Sequence, residues 1–286
     1  MTECSPRRIG LLAGWGRYPV LIAEALHRQG HQVFCMGIVG HADPRLAEIC
    51  DGFQWGGMFK LGLGMRYMRR QGVTDVVMAG KFHKVVFFQP WVWLRHLPDW
   101  GGIRMLAPFF LTRRKHCNDD SLLGAVVDAF AREGMRFGPP TDYVPELLVG
   151  HGPLTRKEPS AWQWKDIRYG WRLAKEMGRL DVGQSVVVKD QTAIAIEAVE
   201  GTDECIRRAG DICRAGRFTV VKVAKPQQDM RFDVPTIGMR TVETIAAAGG
   251  RVLAIEAGRT ILLDAPEVID FADRKGLVIV AVADEG

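Results

Sequence analysis

The sequence predicts an α/β protein with two domains, and three observations lead to this class. The chain has 286 residues, of which 47% are hydrophobic, and this is more than one hydrophobic core usually organises. Short apolar runs alternate along the chain with stretches whose apolar residues recur at helical spacing. A segment rich in glycine and proline divides the alternating pattern into two halves. We therefore predict two α/β domains joined by a linker.

The first half opens with a strand, a glycine-containing turn and a helix. The predicted elements are, in order, a strand at 9–13, a turn at 14–17, a helix at 19–28, strands at 32–38 and 75–79 with a helix at 61–71 between them, and a helix at 121–131. Apolar strands that alternate with helices are typical of a parallel sheet covered on both faces. We predict a Rossmann-like parallel sheet domain over residues 1–137.

Candidate ligand contacts of this domain stand in the turns after the first and the third predicted strand, because open parallel sheets bind ligands at the carboxyl ends of their strands. They are Gly14, Gly16, Arg17, Gly80 and Lys81. The turn fails the dinucleotide-binding signature GxGxxG, since a proline stands where the third glycine would be. A contact to a phosphate or a sugar and a purely structural turn are the two interpretations, and we predict the first.

The second half follows a stretch without periodic apolar residues. We predict a linker at 138–159 and a second domain over 160–286. Its predicted elements are a helix at 160–177, strands at 185–189 and 193–199 joined by a turn at 189–192, a helix at 202–214, a strand at 219–224, a helix at 239–248, strands at 252–256 and 260–264, a helix at 266–275 and a strand at 277–282. The hairpin requires an antiparallel pair, so this second α/β domain is predicted to have a mixed sheet.

Composition limits the partner and the compartment. The formal charge of +5 indicates a mild attraction to phosphates or anionic lipids, but the chain lacks the lysine runs of a dedicated nucleic-acid binder. The six cysteines form no CxxC pair, so we expect reduced thiols. No stretch has the pattern of a signal peptide or a membrane span, and we expect a cytoplasmic protein. The aromatic segment 85–93 is interpreted either as a buried strand with a turn or as a lipid-facing surface.

The densest polar cluster of the chain follows an apolar strand of the second domain. It contains the cations Lys225 and Arg231 and the acids Asp229 and Asp233, with prolines near both ends. Carboxylate oxygens combined with fixed positive charge are what a phosphate-bearing substrate and Mg²⁺ require. A solvated turn is the alternative interpretation. We predict that Lys225, Arg231 and Asp233 are catalytic and that Gln228 contacts the substrate.

A second polar cluster stands where another strand of this domain leads into a helix. Either Thr202 or Asp203 caps that helix, or Glu200 and Asp203 join Asp233 around one metal ion. We predict Glu200, Asp203 and Asp233 as metal ligands and Thr202 as a substrate contact. A third cluster, residues 117–120, is interpreted as a helix cap. The seven histidines lack the spacing of a zinc site.

Taken together, these clusters resemble the LpxI-type UDP-2,3-diacylglucosamine diphosphatases, enzymes of lipid A biosynthesis. The resemblance covers almost the whole chain, and its strongest parts are IGLLAGWGRYPV, VVMAGK, GRLDVGQSVVV, IEAVEGTDECIRR and KPQQDMRFDVPTIG. It implies attack of water on the α-phosphorus of UDP-2,3-diacylglucosamine, which gives UMP and 2,3-diacylglucosamine 1-phosphate. It implies Mg²⁺ as the metal, with Mn²⁺ as a substitute, and a homodimer formed through the second domain.

The resemblance also carries over to single residues. The essential aspartate of the family falls on Asp233, and its glycine-rich turn falls on Gly14 and Gly16. Arg17 departs from the family at a position that is often small in relatives, and Asp229 stands where glutamate occurs in relatives. The implied partners are a lipid-linked UDP-sugar and the inner face of the inner membrane, contacted peripherally; no nucleic-acid partner is expected.

Two other functions fit the same residues. A non-catalytic protein that binds a nucleotide sugar or a lipid headgroup would agree with the incomplete glycine signature and would release no UMP. A lipid nucleotidyltransferase would use the same acids and metal, but it would consume CTP or UTP and release pyrophosphate. Analysis of the phosphorus-containing products separates the three functions.

Overall fold

The chain folds into two compact units. The computed structural model describes residues 6–58, 60–80, 99–103, 119–231 and 234–283, without the side chains of 119–123. The first unit extends to Val144 and includes Met230 and Arg231, and the second begins at Pro145. This division lies within residues 138–159, where the sequence predicts a linker.

The described part of the first unit is built on parallel strands with helices between them. The strands are β1 (Arg8–Ala13), β2 (Gln32–Ile38), β3 (Gly52–Gly56), β4 (Asp75–Ala79) and β5 (Arg136–Phe137), and the helices are α1 (Tyr18–Arg28), α2 (Leu46–Ile49), α3 (Leu61–Arg70) and α4 (Asp119–Arg132). The strand order is β3-β2-β1-β4-β5, and each neighbouring pair is parallel. This doubly wound order confirms the predicted Rossmann-like sheet.

The strand order reverses between β1 and β4. The chain leaves β1 toward β2 on one side and later enters β4 on the other side of β1. In open α/β sheets, ligands bind in the crevice beyond the carboxyl ends of the two strands at such a point. Nearly all residues of both strands are buried, as a sheet covered by helices on two faces requires. The crevice of this unit therefore opens beyond Ala13 and Ala79.

The sequence prediction missed β3. This strand reads Gly-Phe-Gln-Trp-Gly, and two glycines without any β-branched residue give a weak strand signal. It lies at the edge of the sheet beside β2 and is mostly only partly buried. A Cβ on Gly52 would lie 2.6 Å from the hydroxyl of Tyr67. Close packing against neighbours, which a strand pattern does not report, explains the glycine there.

The second unit is built on a six-stranded mixed sheet. Its helices are α5 (Ala161–Arg179), α6 (Thr202–Ile212), α7 (Met239–Ala247) and α8 (Ala265–Lys275), and its strands are β6 (Gly152–Pro153), β7 (Ser185–Lys189), β8 (Thr192–Ile196), β9 (Thr219–Lys222), β10 (Thr236–Ile237), β11 (Val252–Glu256), β12 (Ile261–Leu262) and β13 (Val278–Val282). The order of the large sheet is β6-β13-β11-β9-β7-β8. β11 is parallel to β9 and β13, and β7 is antiparallel to both of its neighbours. The predicted mixed sheet is confirmed.

Helices cover both faces of this sheet. α5 lies on one face, where Ile167 and Ala174 are buried with valines of β7 and β9. α6, α7 and α8 lie on the other face, where Ile206, Val242 and Val268 belong to one buried cluster. Each face thus buries the apolar side of an amphipathic helix against apolar strands. None of the described helices is long and apolar enough to cross a membrane.

The hairpin between β7 and β8 confirms the turn predicted at 189–192. Asp190 and Gln191 have positive φ angles of 50° and 57°, the conformation that a two-residue turn needs to match the twist of the strands. Their backbone amides donate to the buried carboxylate of Asp166 on α5, at 3.2 and 2.7 Å. This carboxylate compensates for the absence of glycine in the turn and ties the hairpin to α5.

Several stretches differ in detail from their predicted form; the strand predicted at 193–199, for example, ends at Ile196. The strand predicted at 260–264 shortens to β12, which pairs with β10 in a separate two-stranded sheet. It ends early because Asp264 has a φ of 52° and leads directly into α8. Residues 138–159 contain two short 3-10 helices and β6, which pairs with β13. Ser160 is the N-cap of α5, in a capping box with Gln163, and not its first helical residue.

Candidate functional site

The glycine turns of the first unit meet at the carboxyl ends of β1 and β4. The amide of Gly14 donates a hydrogen bond to the carbonyl of Ala79 at 2.8 Å. A Cβ on Gly80 would lie 2.8 Å from the carbonyl carbon of Gly14 and 2.9 Å from the carbonyl oxygen of Trp15. Gly80 and Gly16 have positive φ angles of 97° and 108°. The structure therefore brings Gly14, Gly16 and Gly80 together at the crevice.

The charge at this crevice suits an anion. Arg17 is the N-cap of α1, and no acidic residue stands in the first turn of that helix. The partial positive charge of a helix N-terminus adds to that of the guanidinium. Lys81, the other predicted cation of this edge, lies outside the described residues. Substrate contact by these residues stays a prediction.

Gly80→Ala is expected to destabilise the protein more than Gly16→Ala. Both substitutions place alanine at a positive φ, which costs about 1 kcal/mol. Only the methyl group at Gly80 also meets backbone atoms of the neighbouring turn, because nothing lies within 4 Å of a Cβ on Gly16. We expect a decrease in the free energy of unfolding of about 2 to 3 kcal/mol for Gly80→Ala, measured in urea. Equal losses for the two variants would contradict the close approach of the turns.

In the second unit, polar side chains gather at the edge of the sheet where β9 and β11 end. Because β9 and β11 are parallel and β7 is antiparallel to β9, these carboxyl ends lie beside the start of β7. Ser185, the first residue of β7, pairs with Lys222, the last residue of β9. The amide of Glu197, just after β8, donates to the carbonyl of Ser185 at 2.9 Å. We call this edge, at the ends of β8, β9 and β11 and the start of β7, the carboxyl edge.

A hydrogen-bonded network occupies the carboxyl edge. The ammonium of Lys222 donates to Thr202 Oγ1 at 2.9 Å, and the Thr202 hydroxyl donates to Glu197 Oε1 at 2.9 Å. Ser185 Oγ lies 3.3 Å from the same Thr202 oxygen. Lys222 is 6% exposed and Glu197 is 8% exposed. Buried charges are expensive to desolvate and fix the geometry of their surroundings, so Thr202, a predicted substrate contact, is held in one position.

Two buried acceptors beside this network make no hydrogen bond among the described residues. They are Glu197 Oε2 and Gln184 Oε1. Gly183, which precedes Gln184, has no room for a side chain, because a Cβ there would collide with the backbone of Glu197. Buried acceptors without donors are uncommon in native proteins. A bound water or ligand that donates hydrogen bonds would satisfy them.

Glu256, at the end of β11, holds the next part of the carboxyl edge. One of its oxygens pairs with the ammonium of Lys175 on α5 at 2.9 Å, and the other accepts a hydrogen bond from the amide of Ala224 at 2.7 Å. Arg259 approaches the same carboxylate at 3.7 Å. Glu256 is 1% exposed, so these groups take the place of water around its charge. The chain is thereby anchored directly before Lys225.

The segment after β9 carries several predicted site residues. Lys225 pairs with Asp181 at 2.5 Å, and its amide donates to Gln228 Oε1 at 2.8 Å. The side chain of Gln228 is buried, which fixes this turn. Arg231 belongs by its contacts to the first unit, and Asp233 lies outside the described residues. The second unit by itself therefore brings Lys225 and Gln228 to the carboxyl edge.

The predicted metal ligands Glu200 and Asp203 are each paired with an arginine. Glu200 contacts Arg208 at 2.6 Å, and Asp203 contacts Arg240 at 2.9 Å and accepts a hydrogen bond from the Thr241 hydroxyl. The pKa of Glu200 is lowered, first because its carboxylate accepts its own backbone N–H and then, against partial desolvation, because of Arg208. The described residues contain no group of three or more acids, histidines or cysteines that could hold a metal ion.

Capping, the alternative interpretation of this second cluster, is wrong. Gly201 is the N-cap of α6, with a φ of 85°, and no side chain caps the helix. Thr202 bonds within the network of Lys222, and Asp203 bonds to residues of α7. Both side chains thus tie the start of α6 to its neighbours. The side chains of the third cluster, residues 117–120, lie outside the described residues.

Sequence reasoning missed several residues of the carboxyl edge. Lys222 and Glu256 end buried strands, and Glu197 directly follows β8, which is apolar but mostly only partly buried. A charged residue at the end of an otherwise apolar strand is the signal that could have found them. Lys175 carries no such signal, since it lies in a helix 81 residues away from its partner.

Comparison with known proteins gives one consistent result. The family model of the LpxI N-terminal domain matches residues 8–147, and that of the LpxI C-terminal domain matches residues 150–280. A protein of Caulobacter vibrioides named UDP-2,3-diacylglucosamine pyrophosphatase LpxI is 33% identical over 288 aligned residues. The alignment covers 96% of this chain and 98% of that relative.

Proposed function

The chain belongs to the LpxI family, and from this premise we propose that it hydrolyses UDP-2,3-diacylglucosamine in lipid A biosynthesis. The observation that carries the proposal is the similarity, over nearly the full length of both chains, to a relative named for this substrate. We further propose that water attacks the α-phosphorus, so that the products are UMP and 2,3-diacylglucosamine 1-phosphate. The substrate class is thus a lipid-linked UDP-sugar.

The carboxyl edge can supply part of what this reaction needs. A diphosphate is densely negative, and charge grows at the attacked phosphorus, so the site must present fixed cations to its oxygens. The side chain of Lys225 is 23% exposed and can reach an anion, whereas the buried Lys222 acts through the Thr202 hydroxyl. We assign phosphate contacts to Lys225 and Thr202. Phosphate oxygens would replace Asp181 as the counter-charge of Lys225.

Two further roles are proposed from the sequence cluster that ends at Asp233. Arg231 would neutralise a phosphate oxygen in the transition state, and Asp233 would orient the attacking water or bind the metal. Gly14, Gly16 and Arg17 at the crevice of the first unit are proposed as substrate contacts.

Phosphorus NMR of the products formed in ¹⁸O-enriched water tests this proposal. Attack at the α-phosphorus places the label in UMP, whereas attack at the β-phosphorus places it in the sugar phosphate. Unchanged substrate would favour a binding protein, and pyrophosphate release in the presence of CTP or UTP would favour a nucleotidyltransferase. Label in UMP is the expected result. Label in the sugar phosphate, unchanged substrate or pyrophosphate release would each overturn the proposal.

We propose that Mg²⁺, or Mn²⁺ in its place, is required for this hydrolysis, with Asp233 as its main protein ligand. Such a cation would neutralise phosphate oxygens. Glu200 and Asp203, paired with arginines as they stand, do not form a metal site on their own. Activity is expected to be lost in EDTA and to return with Mg²⁺ or Mn²⁺. Full activity after exhaustive chelation would contradict a metal requirement.

The arginine-paired acids give this prediction a second part. If Glu200 and Asp203 complete the metal shell, Glu200→Gln and Asp203→Asn should raise the Mg²⁺ concentration that gives half-maximal activity. If the two acids serve only their ion pairs, that concentration should not change. The exposed acid Glu243 on α7 offers a control, since Glu243→Gln removes a carboxylate of the same unit outside the carboxyl edge.

Two further proposals concern assembly and location. We propose a homodimer formed through the second unit and a peripheral contact with the inner face of the inner membrane. The family resemblance supports the dimer, and the lipid substrate together with the net charge of +5 supports the approach to anionic lipid. Sedimentation velocity measures the oligomeric state, and fractionation of cells at low and high salt measures the membrane contact.

A further inference from the structure

The solvent side of α5 combines positive charge with an exposed aromatic ring. We call this side the outer face of α5, and it consists of Trp162, Lys165, Arg168, Arg172, Glu176 and Arg179. These residues are exposed, and Trp162 is exposed to 70%. Four cations stand against one acid, which itself pairs with Arg179 at 3.0 Å.

The outer face is one continuous stripe of a rigid helix. From residue 165 to 179 its members follow each other at steps of three or four, which keeps them on one side of an α-helix. The opposite side is buried at Ile167, Gly170 and Ala174. A helix of 19 residues is about 28 Å long, so the stripe is long enough to lie across several lipid headgroups.

Exposed apolar side chains lie near both ends of the stripe. At the start of the helix, the ammonium of Lys165 lies over the ring of Trp162 at 4.0 Å from its centroid. Just beyond the end of the helix, Leu180 and Val182 are exposed to 56% and 44%. Basic residues with aromatic and aliphatic neighbours are the composition of helices that lie in the interface of a membrane.

We propose that the outer face of α5 docks on the surface of an anionic lipid bilayer, with the helix parallel to the membrane plane. The charge of the stripe is complementary to anionic headgroups, and Trp162 reaches the headgroup level. The end of the helix adjoins the carboxyl edge, since a Cβ on Gly178 would lie 3.2 Å from Cα of Lys225. Docking in this orientation places the carboxyl edge near the lipid headgroups.

A second copy of the chain fits this face less well. In a twofold-symmetric contact the same stripe would face itself, and its cations would oppose one another without enough acids to pair them. The proposal rests on the membrane contact proposed above and not on the chemistry of hydrolysis, so each can fail alone.

Cosedimentation with lipid vesicles tests the proposal. The full chain is mixed, without substrate, with vesicles of phosphatidylcholine alone or of phosphatidylcholine with phosphatidylglycerol. Arg168→Glu/Arg172→Glu is expected to weaken binding to the anionic vesicles by about 30-fold or more, because each basic residue near the surface contributes about 1 kcal/mol. Arg207→Glu/Arg214→Glu is the matched control, since it changes the net charge equally at exposed positions of α6 and the turn after it.

The position of the contact is tested by brominated lipids, which quench tryptophan fluorescence. Wild-type protein is expected to be quenched on anionic vesicles, and Trp162→Phe is expected to lose a clear part of that quenching. Equal quenching of both proteins, or equal weakening by the two double variants, would place the contact elsewhere and overturn the proposal. A change of oligomeric state in Arg168→Glu/Arg172→Glu would also overturn it, in favour of a second copy.

Hydrolysis of substrate dispersed in detergent micelles separates this inference from the proposed function. Arg168→Glu/Arg172→Glu is expected to keep the wild-type kcat in micelles, because the outer face of α5 takes no part in the reaction. Loss of activity in micelles would show that these arginines serve the site itself and would contradict a docking role. Absence of hydrolysis by wild-type protein would reject the proposed function and leave the vesicle result unaffected.

Discussion

Asp233→Ala is expected to lower kcat by about 10³-fold or more while the protein still folds and binds substrate. Asp233 ends the densest cluster of acids and cations in the sequence, and the essential aspartate of the family falls on it. A carboxylate that binds the metal or orients the water acts mainly in the transition state, so its loss reduces kcat more than it raises KM. Steady-state kinetics with micellar substrate and a circular dichroism spectrum measure the two expectations.

Asp229→Ala is the matched control, because it removes an acid from the same segment whose role the sequence supports less strongly. We expect Asp229→Ala to retain clearly more activity than Asp233→Ala. A variant Asp233→Ala with near-normal turnover would remove the basis of the assignment. Equal losses in both variants would mean that the charge of the whole segment, and not one carboxylate, is what the reaction needs.

Glu256→Gln is expected to lower the free energy of unfolding by about 3 kcal/mol, as is typical when one partner of a buried ion pair is removed. The amide side chain keeps the shape of glutamate and can still accept the hydrogen bond of Ala224. It removes the carboxylate charge that lies 2.9 Å from the ammonium of Lys175, a side chain that is only 15% exposed. Urea unfolding of wild-type and variant protein measures the loss. Because Ala224 precedes Lys225, kcat should fall as well.

The double variant Glu256→Gln/Lys175→Met separates the charge from the packing. Removing both charges of a buried pair costs much less than removing one, so the double variant should regain most of the lost stability. Glu267→Gln, at an exposed position of α8, serves as a control with little expected effect. If the double variant were as unstable as the single one, the ion pair would not be the origin of the loss.

Much of the fold could be predicted because burial on two faces leaves a strong local pattern. The strand at 32–38 and the strand at 252–256 were predicted with the bounds that the structure has. Both are almost continuous apolar runs, the pattern of strands inside a parallel sheet. β3 was missed, because an edge strand with two glycines has no apolar period to detect. β12 was predicted too long, because a strand of two residues is too short to show a period.

The candidate site could be predicted only where residues cluster along the chain. Thr202, Lys225 and Gln228 were predicted from such clusters, and the structure brings them to the carboxyl edge. Glu200 and Asp203 pair with arginines that are eight and 37 residues away, and these pairs leave no local signal in the sequence. The predicted grouping of the two acids around a metal stays a prediction. Asp233, on which that grouping depends, lies outside the described residues.

The sequence by itself determined the two α/β sheets, parallel in the first unit and mixed in the second, since these follow from the apolar period and from turns. Only the tertiary structure decided that the Thr202 hydroxyl accepts a hydrogen bond from Lys222 and donates one to Glu197. It also decided that Glu256 pairs with Lys175. The physical reason is the pairing of distant strands and helices. A hydrogen bond between side chains depends on the register and packing of two elements, and no local pattern specifies which buried charge meets which.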